Sequence, residues 1–128
     1  MFNSLQIGKI GENVAVSYLE DNGYIIVDRN YHSRFGEIDI IAKKEDYIVF
    51  IEVKTRNDMA IIKAFESVDR IKQKKIIKTA MIYLMEHVVN LQPRFDVIEV
   101  LINKNSRNVK EVNQVENAFL GDSFYETF

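Results

Sequence analysis

The sequence predicts a single α/β domain in which a mixed β-sheet is flanked by helices. Three observations support this: helical periodicity near the N-terminus, three consecutive strand-like segments rich in β-branched residues, and a second helical stretch followed by further strands. A chain of 128 residues can bury the core of one domain, and we assign residues 1–128 to it. Apolar residues make up 47% and charged residues 28%, which is typical of globular proteins rather than disordered ones.

The predicted elements follow one another without repeats or linkers. A helix is predicted over residues 4–21, where Ser4 caps its start and Asn22-Gly23 ends it. Apolar residues recur at helical spacing along one side of this segment, so that side is expected to pack on the sheet. The remaining predicted elements are three strands, a helix, a fourth strand and a candidate fifth strand, over residues 24–32, 35–43, 47–55, 65–89, 94–102 and 109–115.

The composition excludes several classes of protein. Cysteine is absent, so neither a disulfide framework nor a thiolate metal site can form. We see no signal peptide and no apolar run long enough to cross a bilayer, and therefore expect a cytoplasmic protein without a membrane partner. A glycine-rich phosphate loop is also missing, which argues against the use of a nucleoside triphosphate.

Acidic residues lie inside two segments that otherwise have the pattern of buried strands. Residues 36–42 carry Asp39, and residues 48–56 carry Glu52 with Lys54 two positions later. A buried carboxylate costs several kcal/mol unless a cation or a hydrogen-bond donor meets it. A metal site is therefore one reason for a sequence to keep such residues in the middle of strands.

A two-residue turn at 45–46 would set the register of this hairpin. Asp39 then faces Glu52, and Glu37 faces Lys54. Two ionised carboxylates about 5 Å apart repel by about 3 kcal/mol at an effective dielectric constant near 20, and one lysine does not balance them. Oxygen ligands of this kind select Mg²⁺ or Mn²⁺ over Zn²⁺. The alternative is an ordinary solvated ion pair within Glu-x-Lys, which needs no metal.

Basic residues concentrate between positions 54 and 78, although the net charge of the chain is −2. This segment holds eight Lys or Arg residues and three Asp or Glu residues, which predicts a face prepared for an anion. Tyr31 and Phe35 are the candidates for stacking on bases. The candidate nucleic-acid contacts are Arg34, Arg56, Lys72, Lys74, Lys75 and Lys78. The alternative for the lysines is a solvated helix face.

The order of short motifs along the chain resembles a family of nucleases. Asp39…Glu52-x-Lys54 resembles the PD-(D/E)xK core of restriction-endonuclease-like folds, with Ile38 where the motif name has proline. The chain as a whole resembles the bacterial YraN family of predicted endonucleases. The pieces that carry this resemblance are Gly8-x-x-Gly11-Glu12-x-x-Ala15, Gly23-Tyr24, Arg29-Asn30-Tyr31, Gly36-Glu37-Ile38-Asp39-Ile40-Ile41-Ala42, Phe50-Ile51-Glu52-Val53-Lys54-Thr55-Arg56, Lys72-Gln73-Lys74-Lys75, Arg94-Phe95-Asp96-Val97 and Asn117-Ala118-Phe119.

The resemblance implies a restriction-endonuclease-like αβββαβ core and metal-dependent cleavage of DNA, including branched DNA. We expect Asp39, Glu52 and the backbone carbonyl of Val53 to bind Mg²⁺ or Mn²⁺, and Lys54 to orient the attacking water. Glu12 is similar to the helix carboxylate of archaeal Holliday-junction resolvases, and would hold a second metal or an outer-shell water. DNA is the expected partner rather than RNA, and a resolvase-like activity would favour a homodimer.

Other interpretations remain open at this stage. The chain could keep the nuclease fold as a nucleic-acid-binding or scaffold protein without turnover. It could also be a structural protein whose carboxylates pair with lysine and arginine. Glu12 could be an edge residue that reaches water, and Glu37 is expected to pair with Lys54, with direct ligation of the metal as the alternative. A metal-binding measurement separates the structural interpretation from the others, and a cleavage assay separates an enzyme from a scaffold.

Overall fold

The computed structural model describes residues 3–57, 68–103 and 105–119, which form an α/β fold. The two helices and five strands of this part of the chain are, in order, α1 (Ser4–Asp21), β1 (Ile25–Ser33), β2 (Gly36–Lys44), β3 (Tyr47–Asn57), α2 (Arg70–Glu86), β4 (Gln92–Ile102) and β5 (Val109–Val115). The predicted order of elements is confirmed, including the fifth strand. Residues 65–67 of the second predicted helix, and residues 1–2 and 120–128 of the predicted domain, lie outside the described residues.

The five strands form one mixed sheet in the order β1-β2-β3-β4-β5. Neighbouring strands are antiparallel except for β3 and β4, which are parallel and have α2 between them in the sequence. Parallel neighbours require a crossover connection, usually a helix, and α2 has this place. Within the described residues, neither helix is long and apolar enough to cross a membrane.

The start of α1 is capped by Asn3, and the prediction of Ser4 is wrong by one residue. Oδ1 of Asn3 accepts a hydrogen bond from the Gln6 N–H at 2.8 Å, and Oε1 of Gln6 accepts one from the Asn3 N–H at 3.0 Å. This reciprocal pair satisfies two backbone donors at once, and the sequence offers it only to Asn3, since a cap at Ser4 would place Ile7 where Gln6 now accepts. The helix ends as predicted at Asn22, before Gly23 at φ +86.

The core has two layers because α1 and α2 pack on opposite faces of the sheet. Successive residues of a strand point to opposite faces, so β3 contributes Val49 and Ile51 to one cluster and Ile48 and Phe50 to the other. The α1 cluster also contains Ala15, Leu19, Ile40, Ile98 and Val100, and the α2 cluster also contains Ile76, Ile77, Ala80, Tyr83, Phe95 and Val97.

Gly11 allows α1 to approach β3 closely. A Cβ atom at this position would lie 1.7 Å from Oγ1 of Thr55, which is far inside contact distance. Glycine is therefore required for this packing, and the next residue, Glu12, is brought beside the cleft that Thr55 and Asp39 also line.

Candidate functional site

The β2–β3 hairpin has the predicted register over its first part. Five residue pairs follow the two-residue turn, and the last of them joins Ile40 to Ile51. The paired stretch ends one position before Asp39 and Glu52, whereas β3 continues along β4 as far as Asn57. The two carboxylates therefore lie where β2 and β3 separate.

The side chain of Asp39 connects the two strands where their pairing ends. Its Oδ2 accepts a hydrogen bond from the backbone N–H of Val53 at 2.7 Å, so a carboxylate takes the place of a ladder carbonyl. Burial, followed by the charge of Glu52, raises the pKa of Asp39 to about 7, although the Val53 N–H acts in the opposite direction. Glu12 adds a smaller contribution. Burial and the neighbouring Glu52 therefore both oppose the ionisation of Asp39.

Glu52 is only 5% exposed and is met by two lysines. The Nζ of Lys72 lies 2.7 Å from Oε1 of Glu52, and the Nζ of Lys54 lies 3.6 Å from the same oxygen. Burial lowers the pKa of Lys54, and Lys72 lowers it further. Burial also acts to lower the pKa of Lys72, but the contact with Glu52 outweighs it and raises that pKa. From the sequence, Lys72 was predicted only as a contact to nucleic acid, whereas the structure places its ammonium at Glu52.

Glu12 is held in place from β1. Arg29 forms an ion pair with Oε1 of Glu12 at 3.0 Å, and Nδ2 of Asn30 donates to the same oxygen at 3.0 Å. Arg29 also donates to Asn13 at 2.7 Å. Asn30 has φ 53, in the left-handed region that asparagine adopts more readily than most residues. Asn30 belongs to one of the motif pieces quoted above but was given no role there; in the structure this left-handed asparagine positions Glu12.

An open cleft of about 1000 Å³ lies between α1 and the sheet. Its lining includes Glu12, Asn30, Glu37, Asp39, Val53 and Arg56. Across residues 3–57, 68–103 and 105–119, no three His, Cys, Asp or Glu side chains come close enough together to hold a metal ion. The predicted grouping of Glu12 with Asp39 and Glu52 as metal ligands is therefore not seen. Asp39 and Glu52 remain as a pair, and Glu12 lines the same cleft as Asp39 and adds to the rise of the pKa of Asp39.

The donor set around Asp39 and Glu52 suits a hard divalent cation. Both side chains offer carboxylate oxygens, and Val53, whose N–H binds Asp39, adds a backbone carbonyl at the same position of β3. Mg²⁺ and Mn²⁺ prefer oxygen ligands of this kind. Burial and the neighbouring Glu52 raise the pKa of Asp39, and a divalent cation bound between the two carboxylates would offset both effects.

The predicted ion pair between Glu37 and Lys54 is wrong. Oε2 of Glu37 lies 3.2 Å from Nδ1 of His32, and both side chains are exposed. Because the pairing of β2 with β3 ends at Ile40, no ladder holds Glu37 opposite Lys54. Lys54 is found on Glu52 instead.

The predicted nucleic-acid contacts on α2 divide into an exposed group and Lys72. Lys74, Lys75 and Lys78 are exposed along the helix. Lys78 lies over the ring of Phe35 at 5.3 Å, and Arg34 lies over the same ring at 4.9 Å. An aromatic ring with two cations is therefore present at the turn between β1 and β2.

Arg56 has an internal partner. Its Nε lies 3.4 Å from Oε2 of Glu99, and neither of these buried atoms has a hydrogen-bond partner within the part of the chain that the structure describes. Burial raises the pKa of Glu99, while Arg56 acts to lower it. Arg56 also lines the cleft, so an anion there would meet a guanidinium whose charge Glu99 already partly balances.

A second buried polar cluster is centred on β4. Asp96 is fully buried and accepts two hydrogen bonds from Arg94, at 2.9 and 2.8 Å. It also accepts hydrogen bonds from Gln114 at 2.8 Å and from the Asn117 N–H at 3.0 Å, and Arg94 donates to Tyr24 at 2.6 Å. The sequence signal for this cluster was an Asp inside an apolar strand, with an Arg two positions earlier on the same face.

The sequence has relatives over most of its length. The sequence model of the Uncharacterised protein family UPF0102 matches residues 11–100. The UPF0102 protein TTE1452 of Caldanaerobacter subterraneus subsp. tengcongensis is 42% identical over 118 residues, which cover 91% of this chain and 97% of that protein. A UPF0102 protein of Clostridium botulinum (strain Loch Maree / Type A3) is 45% identical over 115 residues, which cover 88% of this chain and 93% of the relative. Asp39, Glu52, Lys54 and Lys72 all lie within the range that the family model matches.

Proposed function

The chain belongs to the UPF0102 family, and we propose that it is a metal-dependent nuclease that hydrolyses phosphodiester bonds in DNA. One observation carries the proposal: Asp39 and Glu52 lie together where β2 and β3 separate, and Lys54 contacts Glu52. The resemblance to YraN and PD-(D/E)xK nucleases supports the same chemistry and a restriction-endonuclease-like core.

In this proposal Asp39, Glu52 and the carbonyl of Val53 hold one Mg²⁺ or Mn²⁺. When bound, such an ion supplies a water of lowered pKa and a Lewis acid for the phosphoryl oxygen. Oε1 of Glu12 is held by Arg29 and Asn30, and we assign Glu12 to an outer-shell water rather than to the metal.

Lys54 acts on the transition state. During hydrolysis the oxygen of water loses a proton to solvent and bonds to phosphorus, the bond to the leaving oxygen breaks as that oxygen takes up a proton, and negative charge grows on the phosphoryl oxygens. The ammonium of Lys54, with a side chain only 24% exposed, stabilises that charge where water screens it weakly. Glu52 fixes the ammonium of Lys54 through their ion pair at 3.6 Å.

Exposed basic side chains near the site provide the positive charge that binds the phosphates of DNA. Lys74, Lys75 and Lys78 lie on α2, the helix that also places Lys72 at Glu52. Arg34 and Lys78 lie over Phe35, which combines a stacking surface with charges for the phosphates on either side of a base. Contacts to phosphates position a strand without reading its sequence, so we expect shape selection, such as for branched DNA, rather than sequence selection.

A cleavage assay tests the proposed function. Plasmid, linear and four-way-junction DNA, with RNA of matched sequence, are incubated with Mg²⁺ or Mn²⁺. We expect cleavage of DNA, and a loss of about 10³-fold or more in Asp39→Asn and Glu52→Gln, because each removes a charge that holds the metal. Glu37→Gln is the matched control, since it neutralises an exposed carboxylate on the same cleft.

Wild-type cleavage by a folded Glu52→Gln protein would contradict the mechanism. A wild-type protein that binds Mn²⁺ and DNA but cleaves no substrate would instead be the scaffold considered above. A protein that binds no Mn²⁺ would have carboxylates with a structural role.

A further inference from the structure

Lys72 makes the shorter of the two ion pairs with Glu52. Its ammonium lies 2.7 Å from Oε1, compared with 3.6 Å for Lys54. The side chain of Glu52 is 6% exposed and that of Lys72 is 42% exposed, so the lysine reaches a buried carboxylate from the solvent side. Lys72 can return its ammonium to water by rotating its own side chain, whereas Glu52 remains in the sheet.

The place of Lys72 in α2 is unfavourable for the helix itself. The N-cap is Asp69, whose Oδ1 accepts from the Lys72 N–H at 2.8 Å, and the first turn that follows has no acidic residue. Arg70 and Lys72 lie in this turn, where the helix dipole disfavours cations. A residue that opposes the local preference and contacts Glu52 points to a role at the site rather than in the helix.

The charges explain what Lys72 does without a metal. Glu52 and Asp39 together carry two negative charges when both are ionised, and Lys54 supplies only one positive charge. Lys72 supplies the second and brings the cluster to neutrality. A divalent ion that bound beside both lysines would be repelled by each of them. Lys54 is the more enclosed of the two, so Lys72 is the cation that can leave.

We propose that Lys72 is an exchangeable counter-ion, which neutralises Glu52 in the metal-free protein and withdraws when a divalent metal binds. The inference rests on the metal site of the proposed function. Lys72 is on this basis a positioning residue, because it acts through Glu52. The exchange keeps the buried carboxylate paired at all times, and after it the free ammonium lies on the same helix as the exposed lysines.

Calorimetric titration with Mn²⁺, without DNA, tests the exchange. We expect Lys72→Met to bind Mn²⁺ at least about tenfold more tightly than the wild type, because the competing cation is gone. Its metal-free melting temperature should fall, because Glu52 loses its closest partner. Lys72→Arg keeps the charge and should keep an affinity no higher than that of the wild type. Lys110→Met, at an exposed position on β5, should change neither quantity.

The outcomes separate the exchange from the metal site. If Lys72→Met binds Mn²⁺ with the same affinity as the wild type or more weakly, the exchange is overturned and Lys72 is only a structural partner. If the wild type binds no Mn²⁺ and Glu52→Gln behaves identically, the metal site fails and the exchange fails with it. Lys72→Gln provides the same comparison should the methionine variant not fold.

Discussion

This protein buries carboxylates in two clusters, and the two clusters stabilise the buried negative charge in different ways. Around Asp96 the charges are matched, since one arginine binds both carboxylate oxygens and neutral donors complete the set. Between β2 and β3, Asp39 lies beside Glu52, and the pKa of Asp39 rises to about 7. Burial of charge is common to both clusters, so burial alone does not indicate a function. The distribution of charge differs: in the second cluster both lysines contact Glu52, and no ion pair within the described residues involves Asp39.

The two clusters are also expected to respond differently to substitution. A buried ion pair that is hydrogen-bonded on all sides is costly to break, because removing one partner leaves the other uncompensated. Two adjacent carboxylates instead repel each other, and a cation bound between them can offset this repulsion. We therefore expect substitutions in the Asp96 cluster to weaken the fold, and substitutions at Asp39 or Glu52 to weaken metal binding.

The largest expected effect on stability is in the matched cluster. Asp96→Ala leaves the buried guanidinium of Arg94 without its carboxylate, and should lower the free energy of unfolding by about 3–5 kcal/mol. Asp39→Asn in metal-free buffer should cost far less, since it relieves repulsion with Glu52 and keeps an acceptor for Val53. Urea denaturation of both variants measures the contrast. Equal losses would show that both clusters are structural.

A smaller effect should appear in the pH dependence of the metal-free protein. An Asp in an unfolded chain has a pKa of about 3.9, and that of folded Asp39 is about 7. Between these values the folded state binds more protons, so the stability that Asp39 contributes is fully present below about pH 4 and is lost as the pH rises to about 7. At about 1.4 kcal/mol for each unit, the loss is at most a few kcal/mol.

Urea midpoints in EDTA at pH 5 and pH 7.5 measure this loss. Asp39→Asn should flatten the dependence, because an amide does not titrate in this range. Glu20→Gln, which alters an exposed carboxylate on α1, should leave the slope as it is in the wild type. An unchanged slope in Asp39→Asn would show that Asp39 is ionised in both states.

Local patterns in the sequence were sufficient for most of the fold. The helix at 4–21 and the strand at 109–115 have the predicted bounds, because an amphipathic period and a β-branched run are properties of neighbouring residues. The hairpin register followed from a short polar turn between two apolar runs. The cap of α1 was misplaced by one residue because Asn3 and Ser4 are both good cap residues, and Gln6 three positions after Asn3, which identifies the capping box, was overlooked.

The site was predictable only where it depends on the hairpin. The two-residue period of a strand correctly predicted that Asp39 and Glu52 are neighbours. The same period also extended the strand pairing beyond Ile40, where it has ended in the structure, and therefore gave Glu37 the wrong partner. The contact of Lys72 with Glu52 depends on how α2 packs against the sheet. Packing of that kind is a tertiary property, and helical periodicity could assign Lys72 only to an exposed face.

The most direct measurement is anomalous diffraction from crystals soaked in Mn²⁺ at a concentration that supports cleavage. We predict a manganese peak between the carboxylates of Asp39 and Glu52, beside the carbonyl of Val53, with the ammonium of Lys72 withdrawn from Glu52. The absence of a peak at this position, with Lys72 still on Glu52, would contradict a metal site at the separation of β2 and β3.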